Sequence, residues 1–219
     1  MEICRILAMT RWEMENYVVP EGFSPAVLLL ERELTDLPSE ILAVIPDPED
    51  PLLLPEKTVD ETAFPGVVLD FQKPGQEALV NKLAGSLPCP VAVSELYAHQ
   101  TQGPVFLSPC PPDKPLEAHL APWKHREIWL DTTPQPLQFT VTPTKCHINS
   151  TQFPQNSPYF THKGLHCHYI SQITPEKITF TLWRDRQMLE SHIRKAEALG
   201  VTKALGLFQE WNSLPHRPE

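Results

Sequence analysis

Nine short apolar runs, each bounded by proline, glycine or a charge, constrain this chain more than any other feature. They are AVLLLERE (26–33), ILAVIPD (41–47), GVVLD (66–70), PVAVSE (90–95), PVFLS (104–108), REIWLD (126–131), LQFTVT (137–142), ITFTLWRD (178–185) and KALGLFQE (203–210). Runs of this length, rich in Val, Ile, Leu and Phe, suit strands covered on both faces, as in a parallel sheet.

Helical patterns lie between some of them. GQEALVNKLAGSL (75–87) sets Ala78, Leu79, Leu83 and Leu87 near one face and stops at Pro88. RQMLESHIRKAEALG (186–200) repeats the pattern, with Gly200 as its C-cap, and DKPLEAHLA (113–121) predicts a short helix. The stretch from Ile178 to Phe208 reads as strand, helix, strand, a right-handed crossover. Elsewhere the spacing is too short for a helix: only LYAHQTQG separates Glu95 from Pro104. GLHCHYISQ turning through TPEK into ITFTLW reads as a hairpin.

The expected fold class is α/β: a compact, partly helix-depleted (β/α)8, TIM-like barrel forming a single domain over 1–219. At 219 residues it would lie near the lower limit of about 200 for that fold. The alternative is an open α/β sheet with an antiparallel edge hairpin.

Composition narrows the function classes. With Lys+Arg 18 against Asp+Glu 27, the net charge of −9 repels phosphate backbones, so nucleic acid is not an expected partner. No run approaches the ~18 apolar residues of a membrane span, and Glu2, Arg5, Arg11 and Glu13 interrupt any leader-like apolar segment. Cys4, Cys89, Cys110, Cys146 and Cys167 are odd in number and scattered, which fits reduced thiols and a cytoplasmic location. Pro 25 against Gly 8 predicts rigid, irregular connections. No P-loop, dinucleotide fingerprint or nucleophile elbow occurs, and no cofactor is implied.

The chemistry lies in how the runs end. Asp47, Asp70, Glu95, Asp131, Asp185 and Glu210 each close an apolar run. In a parallel barrel these ends meet at one face, where barrel active sites lie. Converging acids would raise one another's pKa and hold a carboxylic acid protonated for general acid catalysis. Asp is also a common turn residue where a strand meets solvent, so each acid alone has a structural explanation. The catalytic candidates are Asp70, Glu95, Asp131 and Glu210. The substrate-binding candidates are Asp47, Gln72, Asp185 and Trp211, the last as a stacking surface for sugar rings. Trp129 and Trp183 lie within strand runs, where filling the core is the commoner use.

LHCHY (165–169) offers a second cluster. His166 and His168 would share one strand face with Cys167 on the other, and a His/Cys metal site would use them. No paired zinc-type spacing accompanies them, so a partly exposed strand with its thiol in the core is preferred, and no metal ligand is assigned.

PGVVLDFQ (65–72) resembles the signature strand of the family 18 glycoside hydrolases, the chitinase-like barrels, whose pattern reads D-G-x-D-x-D-x-E on the fourth barrel strand. Gly66 and Asp70 match, whereas Pro65 and Val68 replace the first two acids and Gln72 occupies the place of the proton-donating Glu. Residues 178–211 resemble the closing strand-helix-strand of bacterial spore-type members, with Asp185 leading into the helix and Trp211 at the sugar-lining tryptophan. The resemblance implies a barrel binding a carbohydrate, and a bacterial origin. It also implies loss of the chitinase mechanism, since an amide at 72 cannot supply general acid catalysis worth ~10²–10⁴-fold.

Four functions therefore stand open: a non-catalytic barrel binding a small-molecule or oligosaccharide ligand, a hydrolase with a relocated pair such as Glu95 with Asp131 or Glu210, a metal-dependent enzyme, or a structural protein. Ligand identity and oligomeric state are not fixed by the sequence.

Overall fold

The computed structural model describes residues 2–29, 41–47, 65–134, 136–154 and 158–214. The 30–33 end of the first apolar run lies outside them. In chain order the strands are β1 (Cys4–Met9), β2 (Ser24–Leu28), β3 (Leu42–Pro46), β4 (Val67–Asp70), β5 (Val91–Ser94), β6 (Val105–Leu107), β7 (Ile128–Asp131), β8 (Leu137–Val141), β9 (Cys146–Ser150), β10 (Phe160–His162), β11 (Cys167–Ile173), β12 (Ile178–Trp183) and β13 (Lys203–Leu207). Eight of them close a parallel barrel in the order β1-β13-β7-β6-β5-β4-β3-β2, with β1 paired to both β13 and β2. The TIM-like expectation holds, and closure removes the open-sheet alternative.

Helices α1 (Arg11–Asn16), α2 (Glu77–Ser86), α3 (Leu116–Leu120), α4 (Arg186–Ala198) and α5 (Phe208–Ser213) accompany the strands. Between β5 and β6 a single 3-10 turn (Ala98–Gln100) stands in for a helix, as the short connection requires. Thr10 and Glu13 start α1 with reciprocal bonds: the Glu13 N–H donates to Thr10 Oγ1 (3.2 Å) and the Thr10 N–H to Glu13 Oε2 (2.8 Å). α4 ends at Gly200, whose φ of +91° favours glycine; its N–H donates to Glu197 O and that of Val201 to Ala196 O, both at 3.0 Å.

Strand parity separates two cores. Ile6, Ala8, Leu42, Val44, Val68, Ala92, Phe106, Trp129 and Leu205 share the cluster inside the barrel. Their neighbours Leu7, Ala43, Val67, Leu69, Val93, Leu107 and Leu130 belong to the outer cluster, which packs under the helices. Trp129 is fully buried, and its Nε1–H donates to Glu127 Oε1 at 2.8 Å. A Cβ on Gly66 would lie 2.7 Å from the Trp129 ring, so only glycine fits there.

Several expectations are corrected. β1 is a barrel strand absent from the nine runs, because its apolar core is flanked by Arg5 and Thr10 and is short. The runs at 137–142 and 178–185 are not barrel strands. They form β8 and β12 of a separate antiparallel sheet, β10-β11-β12-β8-β9, inserted between β7 and α4. The strand-helix-strand from Ile178 to Phe208 therefore links two different sheets and is not a crossover within one. Alternation in ITFTLW explains this: Thr179, Thr181 and Trp183 are buried while their neighbours are half-buried, a period-2 pattern foreign to two-sided barrel strands. The β11–β12 hairpin is present, with Ser171 opposite Phe180. His166 lies in the preceding turn at φ +50° and does not share a strand face with His168.

Candidate functional site at the barrel mouth

Parity decides which acids enter the barrel. Asp70 lies two residues after inward Val68, and Asp131 two residues after inward Trp129, so both carboxyls point inward at the C-terminal mouth. Asp47 and Glu95 each lie one residue beyond the end of their strand, after Pro46 and Ser94, and neither lines the cavity. Glu210 reaches the mouth from the first turn of α5, since β13 ends at Leu207. Asp70, Asp131 and Glu210 line a cavity of about 530 Å³ together with Gln72, Ser108, Thr133 and apolar groups that include Phe106, Leu205 and Leu207.

Asp131 is the centre of this arrangement. It accepts the Thr133 N–H at 2.7 Å, and the Thr133 hydroxyl bonds to both Asp131 and Glu210. Burial pushes the Asp131 carboxyl up to about 7, the Thr133 bonds oppose that rise, and the charges of Asp70 and Glu210 add to it. Burial also raises Glu210, against the Thr133 bond, and its Oε2 is buried with no hydrogen-bond partner among the described residues. Asp70 is raised by burial and by the charge of Asp47, while Gln72, whose Nε2–H donates to Asp70 Oδ1 at 2.5 Å, opposes this. A hydroxyl carries one proton, so when Thr133 donates to Glu210 a protonated Asp131 can donate to the Thr133 oxygen.

Asp47 has a different task. Its carboxylate accepts the Gln72 N–H (3.0 Å), the Lys73 N–H (3.3 Å) and the Gln76 side-chain amide (3.0 Å). Ser94 Oγ–H donates to Phe71 O at 2.5 Å, and the Tyr97 hydroxyl donates to Lys73 O. Three side chains thus pin the loop after β4 and fix Gln72 against Asp70. Glu95 accepts the Ser108 hydroxyl at 2.9 Å, which orients a serine that does line the cavity.

The remaining candidates lie elsewhere. Trp211 is 2% exposed, packs edge-on to Phe23 with ring centroids 4.9 Å apart, and does not line the cavity. Asp185 caps α4, accepting the Met188 N–H at 2.8 Å, and its Oδ2 lies 2.9 Å from buried His168 Nε2. Among the described residues, no group of three or more His, Cys, Asp or Glu is placed to hold a metal ion. Ser108 and Thr133 were not singled out in the sequence. Thr133 sits two residues after Asp131 in DTT, and an Asp-x-Thr turn after an inward acid was the available signal.

No protein-family model matches the chain. No curated protein matches it. Among solved structures it is similar to the spore cortex-lytic enzyme SleL of Bacillus cereus, at 10% identity and a TM-score of 0.48, covering 96% of this chain and 73% of that one. SleL of Bacillus megaterium QM B1551 is similar at 11% identity and a TM-score of 0.46, covering 96% and 72%. The chitinase-like agglutinin RobpsCRA of Robinia pseudoacacia is similar at 9% identity and a TM-score of 0.41, covering 80% and 77%. With likeness at this level, what the cavity can do follows from its own residues.

Proposed function

We propose that the barrel mouth binds a hydroxyl-rich ligand that is uncharged or positively charged, a carbohydrate or similar polyol, with Asp70, Gln72, Asp131 and Glu210 as its hydrogen-bonding groups. One observation carries this reading. Three carboxyl groups face a cavity of about 530 Å³ whose described lining includes no Lys, Arg or His, so an anionic ligand would be repelled. The volume falls in the ~300–1,000 Å³ range of small-molecule sites. Apolar Phe106, Leu205 and Leu207 give the faces of a sugar ring a surface to cover.

Gln72 stands where the family 18 motif has its acid, and it is already engaged with Asp70, so the chitinase route has no donor there. A second reading, an active hydrolase, is favoured by Asp131. A carboxyl with a pKa of about 7 is half protonated at neutral pH and suits a general acid, with Glu210 or Asp70 as the ionised partner.

Calorimetric titration of N-acetylglucosamine and glucosamine oligomers into wild type and Asp70→Ala tests the first reading. Heat with the wild type that disappears in the variant supports it, and no heat from either oligomer at millimolar concentration sinks it. Release of reducing ends by the wild type, abolished in Asp131→Asn, would decide for the second.

A further inference from the structure

A second pocket, sharing no lining residue with the mouth, lies where the inserted sheet meets α3 and α4. Its walls are Lys114 and Leu116, the turn Gly164–His166, Arg184 after β12, and Ser191, His192 and Lys195 of α4. In a chain of net charge −9, five basic side chains meet here. Two acids temper them. Glu117 Oε1 is 2.9 Å from Lys195 Nζ, and the charge of Asp113 reaches Arg184.

One buried donor is left unsatisfied, and a second side chain is uncommitted. Arg184 spends its terminal nitrogens on neutral carbonyls, NH1 to Cys110 O at 2.7 Å and NH2 to Pro111 O at 3.4 Å, and its buried Nε–H has no partner among the described residues. His192 is 7% exposed, faces this pocket, and is in no hydrogen bond among the described residues. A buried guanidinium N–H without an acceptor costs free energy unless something supplies one. The Arg184 Nε–H and the His192 imidazole can both donate here, and no carboxylate pairs with Arg184 at ion-pair distance among the described residues.

We propose that this pocket binds a tetrahedral oxyanion, free or as an ester on a larger molecule, through Arg184 and His192, with Lys114 and Lys195 at its rim. The enclosed space of about 10 Å³ holds little more than one oxygen, so the remaining oxygens face the exposed lysines. Charge balance supports this. Burial and the charges of Arg184, Lys195, His119 and His166 press His192 down to about 3, so the empty site holds a neutral imidazole. An arriving anion offsets those charges and lets His192 take up a proton and donate to it, a linkage that works in both directions.

The experiment follows the His192 imidazole by NMR across a pH titration of the full chain, without additive, with inorganic sulfate, and with glucose 6-sulfate. Sulfate keeps a constant charge across the range. A saturable rise in the His192 pKa with sulfate supports the site and shows that the free anion suffices. A rise with the ester alone also supports it and assigns the anion to a sugar derivative. No rise with either overturns it. The double variant Lys114→Ala/Lys195→Ala, which leaves the buried groups in place, should weaken binding at least about tenfold. Glu117→Gln should strengthen it by removing the competing carboxylate. Unchanged affinity in both variants would place any bound anion elsewhere and overturn the assignment.

Discussion

Asp131 and Thr133 form a two-residue clamp in which the Thr133 N–H holds Asp131 Oδ1 at 2.7 Å while its hydroxyl reaches both Asp131 and Glu210. The clamp keeps two acids together in one cavity although they come from β7 and α5, which are distant in sequence. It makes the mouth a titrating unit, and the first prediction concerns that titration.

Folding raises Asp131 from 3.8 to about 7, so the folded state holds its proton more tightly than the unfolded chain does. The stability that Asp131 contributes is therefore fully present below pH ~4 and is lost as pH rises through 7, a difference on the order of 4 kcal/mol. Asp131→Asn should be more stable than wild type at pH 8 and close to it at pH 4. Urea midpoints for both proteins at the two pH values check this; a constant difference across pH would refute it.

Gly66→Ala should destabilise the barrel by about 1–3 kcal/mol, because the new methyl would sit 2.7 Å from a Trp129 ring that is fully buried and tied to Glu127. Trp129→Phe in the same chain should recover part of the loss. Chemical denaturation of the single and double variants is the measurement, and simple additivity would count against the clash.

Asp47→Ala should weaken ligand binding at the mouth although Asp47 does not line the cavity. Three hydrogen bonds to the loop after β4 disappear, with a cost of about 1–2 kcal/mol given their exposure. Faster hydrogen exchange at the Gln72 and Lys73 amides should accompany the loss. Weaker binding with unchanged exchange would mean that Asp47 acts through its charge instead.

Asp185→Ala should lower global stability by about 1–3 kcal/mol through loss of the α4 cap and of the His168 contact, both in buried surroundings. Ligand affinity at the mouth should not change. A fall in affinity would show that the end of the inserted sheet is coupled to the cavity.

Much of the barrel was legible because buried parallel strands carry their own signal, and GVVLD and REIWLD are clear cases. The rest was lost for identifiable reasons. CRILAM is as apolar as its partners, yet polar flanks hid it. ITFTLW looks like a barrel strand until its alternation is weighed. Run-end acids looked equivalent in sequence, but Asp70 and Asp131 are the last residues of their strands and line the cavity, whereas Asp47 and Glu95 lie one residue past the ends of theirs and do not. Counting parity from Val68 and Trp129 places Asp70 and Asp131 on the inward face. Trp211 could not be placed from sequence, because a helix turn after β13 carries it away from the mouth and into the core.

The pairing of Cys4 with Lys203 has a consequence for biogenesis. As the chain emerges from the ribosome, β1 has β2 on one side and an open edge on the other until residues 203–207 have been made. The inserted sheet, including its longest-range pairing of β8 with β12, lies wholly within residues 137–183 and can form before then. Ring closure is the most non-local step in this molecule and the slowest by topology. Until it happens, a row of free amides and carbonyls along β1 is exposed to any other strand in reach, so the nascent chain is most open to mispairing just before it is complete enough to close.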